Sequence, residues 1–283
     1  MALEYKVLQF HYPDVGQKVH QHPDEDFVWV KDSAFAVFDG VTLAHQDPYP
    51  NPSPAAKAAE IAAKSAVETM IQSQKDGLTI LLDAFIKANY EIKKLNKNLG
   101  LTAQTVNHLT KQYAATVGAF GFLRKDILFF GQINDCGVMV FDGVQQKFPL
   151  VDLLLDPQPA VGILTQWEQN GRFKPGSKEQ HQAFRKEVVN NQDCEFNGIK
   201  IRFGVMTGEN EAVQFFRYGA IKVLPGEIVL FYSDGFMEYI HNQEFIQLLR
   251  TTDSHEEIEA IIKAKFDQGL KFQKEKSLVV IKF

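Results

Sequence analysis

The stretch FAVFDGVT, residues 35–42, ends an apolar run abruptly in Asp39-Gly40, and IVLFYSDGF, residues 228–236, does the same in Asp234-Gly235. Each is a short β-branched and aromatic segment that reads as a strand driven straight into a carboxylate and a glycine. The segment before the first, FVWV at 27–30, is joined to 34–38 by the polar turn Lys31-Asp32-Ser33. That connection is a hairpin, so the sheet it belongs to is antiparallel at this point. If the two strands pair across Asp32-Ser33, opposite residues sum to about 65. Asp26 then lies across from Asp39 at the open end of the hairpin, with Glu25 beside it.

Further segments with the same character occur at 115–123, 126–133, 137–143, 198–206, 227–233 and 277–283. Arg124-Lys125 and Asp142-Gly143 connect neighbours tightly. Two long helices interrupt the strands. Ser53 is the N-cap and Pro54 the first helical position of an alanine-rich helix running to about Lys75. A second helix runs to about Leu99, with Leu81, Leu82, Phe85, Ile86, Tyr90 and Ile92 forming a broad apolar face suited to a sheet. Two more helices, at 236–249 and 254–268, precede the last strand, while 151–197 shows no clear period. The expected fold class is α+β, an α-β-β-α layered sandwich in which helix pairs flank two antiparallel sheets, in one domain over 1–283.

Composition narrows the function classes. The chain has 283 residues, 45% hydrophobic and 23% charged, with 30 basic against 35 acidic residues and a net charge of −5. That balance, without a dense basic cluster, argues against a nucleic-acid partner. No apolar run approaches the roughly 20 residues of a spanning helix, and the first ten residues lack a signal-peptide core. The expectation is therefore a cytoplasmic protein with no membrane partner. Two cysteines, Cys136 and Cys194, are too few for a disulfide framework. The 23 phenylalanines, spread through the strands, read as core.

The carboxylates carry the chemistry. Asp135 lies just past the open end of the 115–123/126–133 hairpin, opposite Ala115, and Asp234 closes a further strand. Glu25, Asp26, Asp39, Asp135 and Asp234 thus all sit at strand termini. Carboxylates packed into a cleft repel one another and are costly to desolvate. A hard divalent cation removes both problems, and oxygen ligands suit magnesium or manganese. A glycine after the aspartate permits a sharp turn that brings a carbonyl near the ion. Asp142-Gly143 has no acidic neighbours and reads as a plain turn.

In order and spacing these segments resemble the PPM-type (type 2C) metal-dependent protein Ser/Thr phosphatases. The matching elements are KVHQHPDEDFVWV, FAVFDG followed by two helices, and AATVGAFGFLRKDILFFGQINDCGVMVF; LPGE then introduces EIVLFYSDGF, and KEKSLVVIKF closes the chain. The resemblance spans about residues 15 to 283. It implies a β-sandwich with two Mg2+ or Mn2+ ions at one end, a weaker third site, and hydrolysis of phosphoprotein substrates by metal-activated water. By position, Asp39 would bridge both ions and, with Asp234, serve catalysis, while the Gly40 carbonyl would complete one shell. Glu25 and Asp26 would hold metal directly or through water, and Asp135 would contribute to the third site.

Three positions depart from the resemblance. The final metal aspartate falls on Lys274, and an ammonium cannot ligate a cation. The substrate-phosphate arginine falls on Gln21, which lacks the bidentate charged fork and leaves the substrate-binding residue unknown. The Gly-Asp-Ser element becomes Asn134-Asp135-Cys136. Either substitutes restore the site, with Glu275 or Asp267 as ligand and Lys18, His20 or His22 for the phosphate, or the chain is a pseudophosphatase that acts by binding. The retained carboxylates place an active enzyme ahead. Elsewhere, Cys136 reads as a buried inert thiol, and His181, His241 and His255 as surface residues. Ser33 and Ser277 have no His and Asp near them in sequence that would make a triad. The loop 44–54 sits where it can shape access to the cleft.

Overall fold

In the computed structural model, residues 4–13, 24–42, 51–143, 146–147, 158–201, 203–268 and 275–283 are described. Strand β1 (Lys6–Tyr12) comes first, then the hairpin of β2 (Phe27–Lys31) and β3 (Ala34–Gly40). Phe27 pairs with Phe38 and Lys31 with Ala34, the register that the sum of 65 requires. The two-residue turn places Asp32 in the left-handed region at φ 52°, the twist that lets the strands of a tight hairpin close.

Helix α1 (Pro54–Gln72) starts where expected, with the Ser53 hydroxyl accepting from the Ala56 amide at 3.0 Å. Its sheet-facing side is almost all alanine: Ala55, Ala58, Ala59, Ala62, Ala63 and Ala66 are fully buried. Side chains this small bring the helix axis close to β2 and β3, so the helix start reaches the Asp39-Gly40 end. Helix α2 (Gly77–Asn98) packs beside it, buries Ile80, Leu81, Phe85 and Ile92, and leaves Ile86 and Tyr90 half exposed. The apolar face read from the sequence is therefore wider than the face the sheet covers.

Strands β4 (Thr116–Arg124) and β5 (Ile127–Ile133) form the second hairpin. Its register differs by one residue from the expected one, because Arg124 pairs with Ile127 and Gly118 with Ile133. The turn is Lys125-Asp126, and Asp135 projects past Thr116 rather than Ala115. Strand β6 (Gly137–Phe141) is followed by β7 (Gln146–Lys147), with Asp142-Gly143 opening the connection as a turn, Gly143 at φ 90°.

The middle of the chain is more regular than its sequence suggests. It contains α3 (Gln158–Gln169), α4 (Lys178–Glu187) and a small hairpin of β8 (Cys194–Phe196) and β9 (Ile199–Ile201). Ile163, Trp167, Val188 and Ile201 form a separate small core here. With so few apolar positions on each helix, the period is too weak to read without knowing what the helices pack on. Among the described residues, the expected long strand at 198–206 appears as β9 and an isolated bridge from Met206 to Thr116.

Strand β10 (Arg217–Lys222), which the sequence reading did not identify, and β11 (Ile228–Tyr232) follow. After a 3-10 turn at Asp234–Phe236 come α5 (Met237–Ile240), α6 (Gln243–Thr251) and α7 (His255–Phe266) in place of two helices, and then β12 (Lys276–Lys282). Two five-stranded antiparallel sheets result, in the orders β1-β12-β11-β6-β7 and β10-β5-β4-β3-β2. Helices α1 and α2 cover the outer face of the second sheet. Helices α5 to α7 cover the first through Phe236, Tyr239, Phe245, Ile246, Leu249, Ile258 and Ile262. The sheets face each other through Phe35, Val37, Val138, Val229, Phe231, Val279 and Ile281. This is the expected α-β-β-α sandwich. Among the described residues no helix is long and apolar enough to cross a membrane.

Candidate active site

The ends of β3, β5 and β11 and the start of β12 lie at one end of the sandwich, and their carboxyls lie within electrostatic range of Asp39. Asp39 is the centre of the group. Burial first, and then the charges of Asp26, Asp135, Asp234 and Glu275, push its carboxyl well above the usual carboxylate range. Its backbone is pinned as well, since the Thr116 hydroxyl donates to the Asp39 carbonyl at 2.6 Å. Asp26 is buried and pushed up to about 7 by burial, against the opposing effect of the Ser233 and Ser277 hydroxyls nearby. The Ser233 hydroxyl lies 2.7 Å from Asp26 Oδ2. Asp135 and Asp234, half-buried in turns, complete the set.

Glu25 is brought next to Asp26 but turned to another task. The hydroxyls of Thr42, at 2.7 Å, and Ser53 donate to its carboxylate, so it ties the first residues after β3 to the start of α1. Gly40 donates its amide to the Glu25 carbonyl at 3.0 Å.

The glycines of both Asp-Gly pairs serve a purpose the sequence did not reveal. Neither adopts a positive φ. A Cβ on Gly40 would come within 2.8 Å of the Ala55 backbone, and one on Gly235 within 1.9 Å of the Glu275 carbonyl oxygen. Each glycine is required because another segment's backbone crosses directly over it. The result is a carboxylate held where two chain segments touch.

Glu275, a candidate substitute ligand, is committed elsewhere. Its Oε1 accepts from the amides of Glu25 and Asp26, the latter at 2.5 Å. Burial first, and then a hydrogen bond to Asp24, push its carboxyl up to about 10. In this arrangement Glu275 organises the Glu25-Asp26 backbone. Asp267 is an exposed C-cap of α7, away from the group. Gln21, Lys18, His20, His22 and Lys274 lie outside the described residues, as do positions 43–50 of the access loop.

Cys136 is fully buried, and burial, followed by the charges of Asp39, Asp135, Asp26 and Asp234, raises its thiol well above the usual range. It is an inert thiol, as expected. Ser277 is a correction. His11 and Asp24 come to it from outside the sequence neighbourhood, with His11 Nδ1 2.8 Å from Ser277 Oγ and Nε2 2.7 Å from Asp24 Oδ2. The signal that would have found His11 is the alternation Leu8, Phe10, Tyr12 against Val7, Gln9, His11, which marks β1 as a strand. Ser277 is fully buried, and it meets the ring through Nδ1. It is a hydrogen-bonding group within the sandwich, not an accessible nucleophile.

The donor chemistry fits magnesium or manganese: every acidic group facing Asp39 offers oxygen, and each charge raises the cost of the others. Among the described residues no group of three or more His, Cys, Asp or Glu side chains is close enough to hold a metal ion. The described carboxyls lie within electrostatic range of Asp39 rather than in a closed shell.

These shifts have a consequence for stability. Asp26, Asp39 and Glu275 all have folded values above their unfolded ones, so the folded state binds more protons between the two. The stability these three groups contribute is therefore greatest below about pH 4. It falls as pH rises through about 7 for Asp26 and on toward 10 for Glu275. The metal-free protein is expected to lose about 5 °C or more in Tm between pH 5 and pH 8 in a thermal scan. A flat or rising Tm over that interval would contradict the burial of these charges.

The layers, the sheet orders and the acidic strand ends define the fold of the PPM-type Ser/Thr phosphatases. Among solved structures, the chain is similar to the serine/threonine phosphatase PstP/Ppp of Mycobacterium tuberculosis at a TM-score of 0.65 and 13% identity, over 99% of each chain. It is also similar to the S. agalactiae serine/threonine phosphatase at 0.63 and 11%, over 99% of each. A third is the catalytic domain of PstP in complex with 2 manganese ions, at 0.62 and 14%, over 98% of this chain and 96% of that one. No protein-family model and no curated protein matches the sequence. The likeness lies in the fold, at an identity where few side chains are shared.

Proposed function

We propose that this chain is a metal-dependent protein serine/threonine phosphatase acting on phosphorylated proteins. The observation that carries the reading is Asp39, pinned by Thr116 and surrounded by the carboxyls of Asp26, Asp135, Asp234 and Glu275 at one end of a PPM-type sandwich. Asp39, Asp26 and Asp234 would hold two Mg2+ or Mn2+ ions, with Asp135 at the edge of the group. When bound, such ions supply a water of lowered pKa and neutralise charge on phosphoryl oxygens. The similar PstP domain with 2 manganese ions supports that choice of cation. The Ser233 hydroxyl holds Asp26 by donating to it, and the close approaches at Gly40 and Gly235 fix Asp39 and Asp234 relative to α1 and β12.

A second reading has its own support. Glu275 is occupied by backbone amides, Lys274 and Gln21 stand at the expected ligand and phosphate positions, and the described carboxylates do not form a closed shell. On this reading the chain is a pseudophosphatase that binds a partner without turnover. Hydrolysis of p-nitrophenyl phosphate and of phosphopeptides with manganese, alongside calorimetric metal titration, separates the two. Two bound ions with manganese-dependent turnover are expected. No turnover and at most one ion would replace the enzyme with the binding module.

A further inference from the structure

A sheet ends in strands whose outer backbone groups are unpaired, and proteins protect such edges by shortening, charging or covering them. Among the described residues, the two large sheets end in β1, β7, β10 and β2. Strand β7 is two residues long, and β10 carries Arg217 and Lys222 at its ends. Strand β1 is met by His255, whose Nε2 lies 3.1 Å from the Gln9 carbonyl oxygen. The remaining edge, β2, reads FVWVK, with four apolar residues before its one charge.

Which groups of β2 point outward follows from its hairpin. In a two-residue hairpin the residues flanking the turn exchange hydrogen bonds, and every second pair after them does the same. Lys31, Trp29 and Phe27 therefore bond to β3, while Val28 and Val30 turn their N–H and C=O away from it. The alternation continues past the strand: the Gly40 amide donates to the Glu25 carbonyl, and the Asp26 amide points outward to Glu275. Among the described residues, no hydrogen bond reaches the outward groups of Val28 and Val30. Beside this edge is a cavity of about 480 Å3. Val28 borders it from β2, His11 from β1, and Ala56 and Glu60 from α1, and it reaches Asp26 of the candidate active site. Its acidic lining is Asp24, Asp26 and Glu60, and no lysine or arginine borders it among the described residues.

We propose that this cavity docks the substrate's polypeptide on one side of the phosphorylated residue, as an extended strand added to the free edge of β2. Main-chain hydrogen bonds to Val28 and Val30 hold the segment, and its Lys or Arg side chains face Asp24 and Glu60. The substrates are then phosphoserine or phosphothreonine in extended, basic segments. Backbone pairing accepts any extended chain and leaves selection to the side chains, which here meet acid. Glu60 holds Lys64 at 2.5 Å, but a pair so exposed is weak enough to open for a substrate cation. That the segment is phosphorylated rests on the phosphatase reading; that it docks here does not.

The test uses the full chain with Mn2+ and three kinds of phosphoserine peptide: lysine-flanked, glutamate-flanked, and lysine-flanked with single N-methyl groups at successive residues on each side. Both kcat/KM and, by fluorescence anisotropy, Kd are measured. N-methylation at alternate residues on one side is expected to weaken binding about three- to tenfold, the loss of one hydrogen bond, and at the residues between them to change it less. The lysine-flanked peptide should be preferred over the glutamate-flanked one by about fivefold, and Glu60→Lys should remove that preference. The proposal is overturned if no N-methyl group matters, if all matter equally, or if Glu60→Lys keeps the preference. A dimer paired through β2, seen by sedimentation, would overturn it too. Where p-nitrophenyl phosphate is hydrolysed but these differences are missing, the docking groove alone is lost. Where neither it nor any peptide is hydrolysed, the phosphatase reading is lost, and the anisotropy pattern alone decides the groove.

Discussion

Asp39→Asn is expected to abolish manganese-dependent hydrolysis while making the metal-free protein more stable. Asp39 is the carboxylate that Asp26, Asp135, Asp234 and Glu275 all face, and its backbone is fixed by Thr116. Removing its charge removes the group best placed to hold a cation. Electrostatic stabilisation by a catalytic metal amounts to several kcal/mol, so turnover should fall by at least about 1000-fold. In the metal-free protein the same change relieves repulsion. At pH 8 the unfolded chain ionises Asp39 freely, whereas the folded site resists, so the asparagine should stabilise by about 1–3 kcal/mol. Aryl phosphatase assays and urea midpoints at pH 8 measure both. Wild-type turnover would remove Asp39 from the chemistry, and a less stable variant would show that the carboxylates do not strain the fold.

Gly235→Ala should be the most damaging single methyl in the molecule. Its Cβ would lie 1.9 Å from the Glu275 carbonyl oxygen, 2.7 Å from Lys276 Cβ and 2.9 Å from the Glu275 carbonyl carbon. Backbone cannot rotate away as a side chain does. The same contact is held by Ser233 N–H donating to the Ser277 carbonyl at 3.0 Å and the Ser277 amide donating to Ser233. A loss of about 3 kcal/mol is expected, at the upper end for overpacking. Gly226→Ala is the control: its φ of 86° is unfavourable for alanine, but a Cβ there meets nothing within 4 Å. Left-handed strain alone costs about 1–2 kcal/mol. If Gly235→Ala destabilises no more than Gly226→Ala in urea unfolding, the close crossing of the 234–236 turn and β12 is not rigid.

The two hairpins differ in how well their sequences were readable. The β2–β3 register follows from a two-residue polar turn between short apolar runs, so its open end could be located to the residue. The β4–β5 hairpin has longer arms and a charged run at 124–126, where Arg124 extends the ladder rather than entering the turn. Nothing local distinguishes those alternatives. Strand β1 shows a clear alternation of its own, but its meaning depends on β12, about 270 residues away in the chain. Helices α3 and α4 bury little against the sandwich, so their apolar positions are too sparse to show a period.

At the site, the sequence marked Asp26, Asp39, Asp135 and Asp234 because each ends a strand, and strand ends gather at the ends of sheets. It could not show that Glu25 would turn to Thr42 and Ser53, or that Glu275 would spend its oxygen on two backbone amides. Side-chain direction depends on which donors arrive from other segments.

What the sequence alone determined is the layered architecture and the identity of the acidic strand ends, because hydrophobic period and turn chemistry are local properties of the chain. Only the tertiary structure decided which carboxylates face Asp39, why Gly40 and Gly235 tolerate no side chain, and that His11 reaches Ser277. Each of these depends on distances between segments far apart in the chain, set by how closely the alanine face of α1 and the crossing of the 234–236 turn over the start of β12 allow backbones to approach.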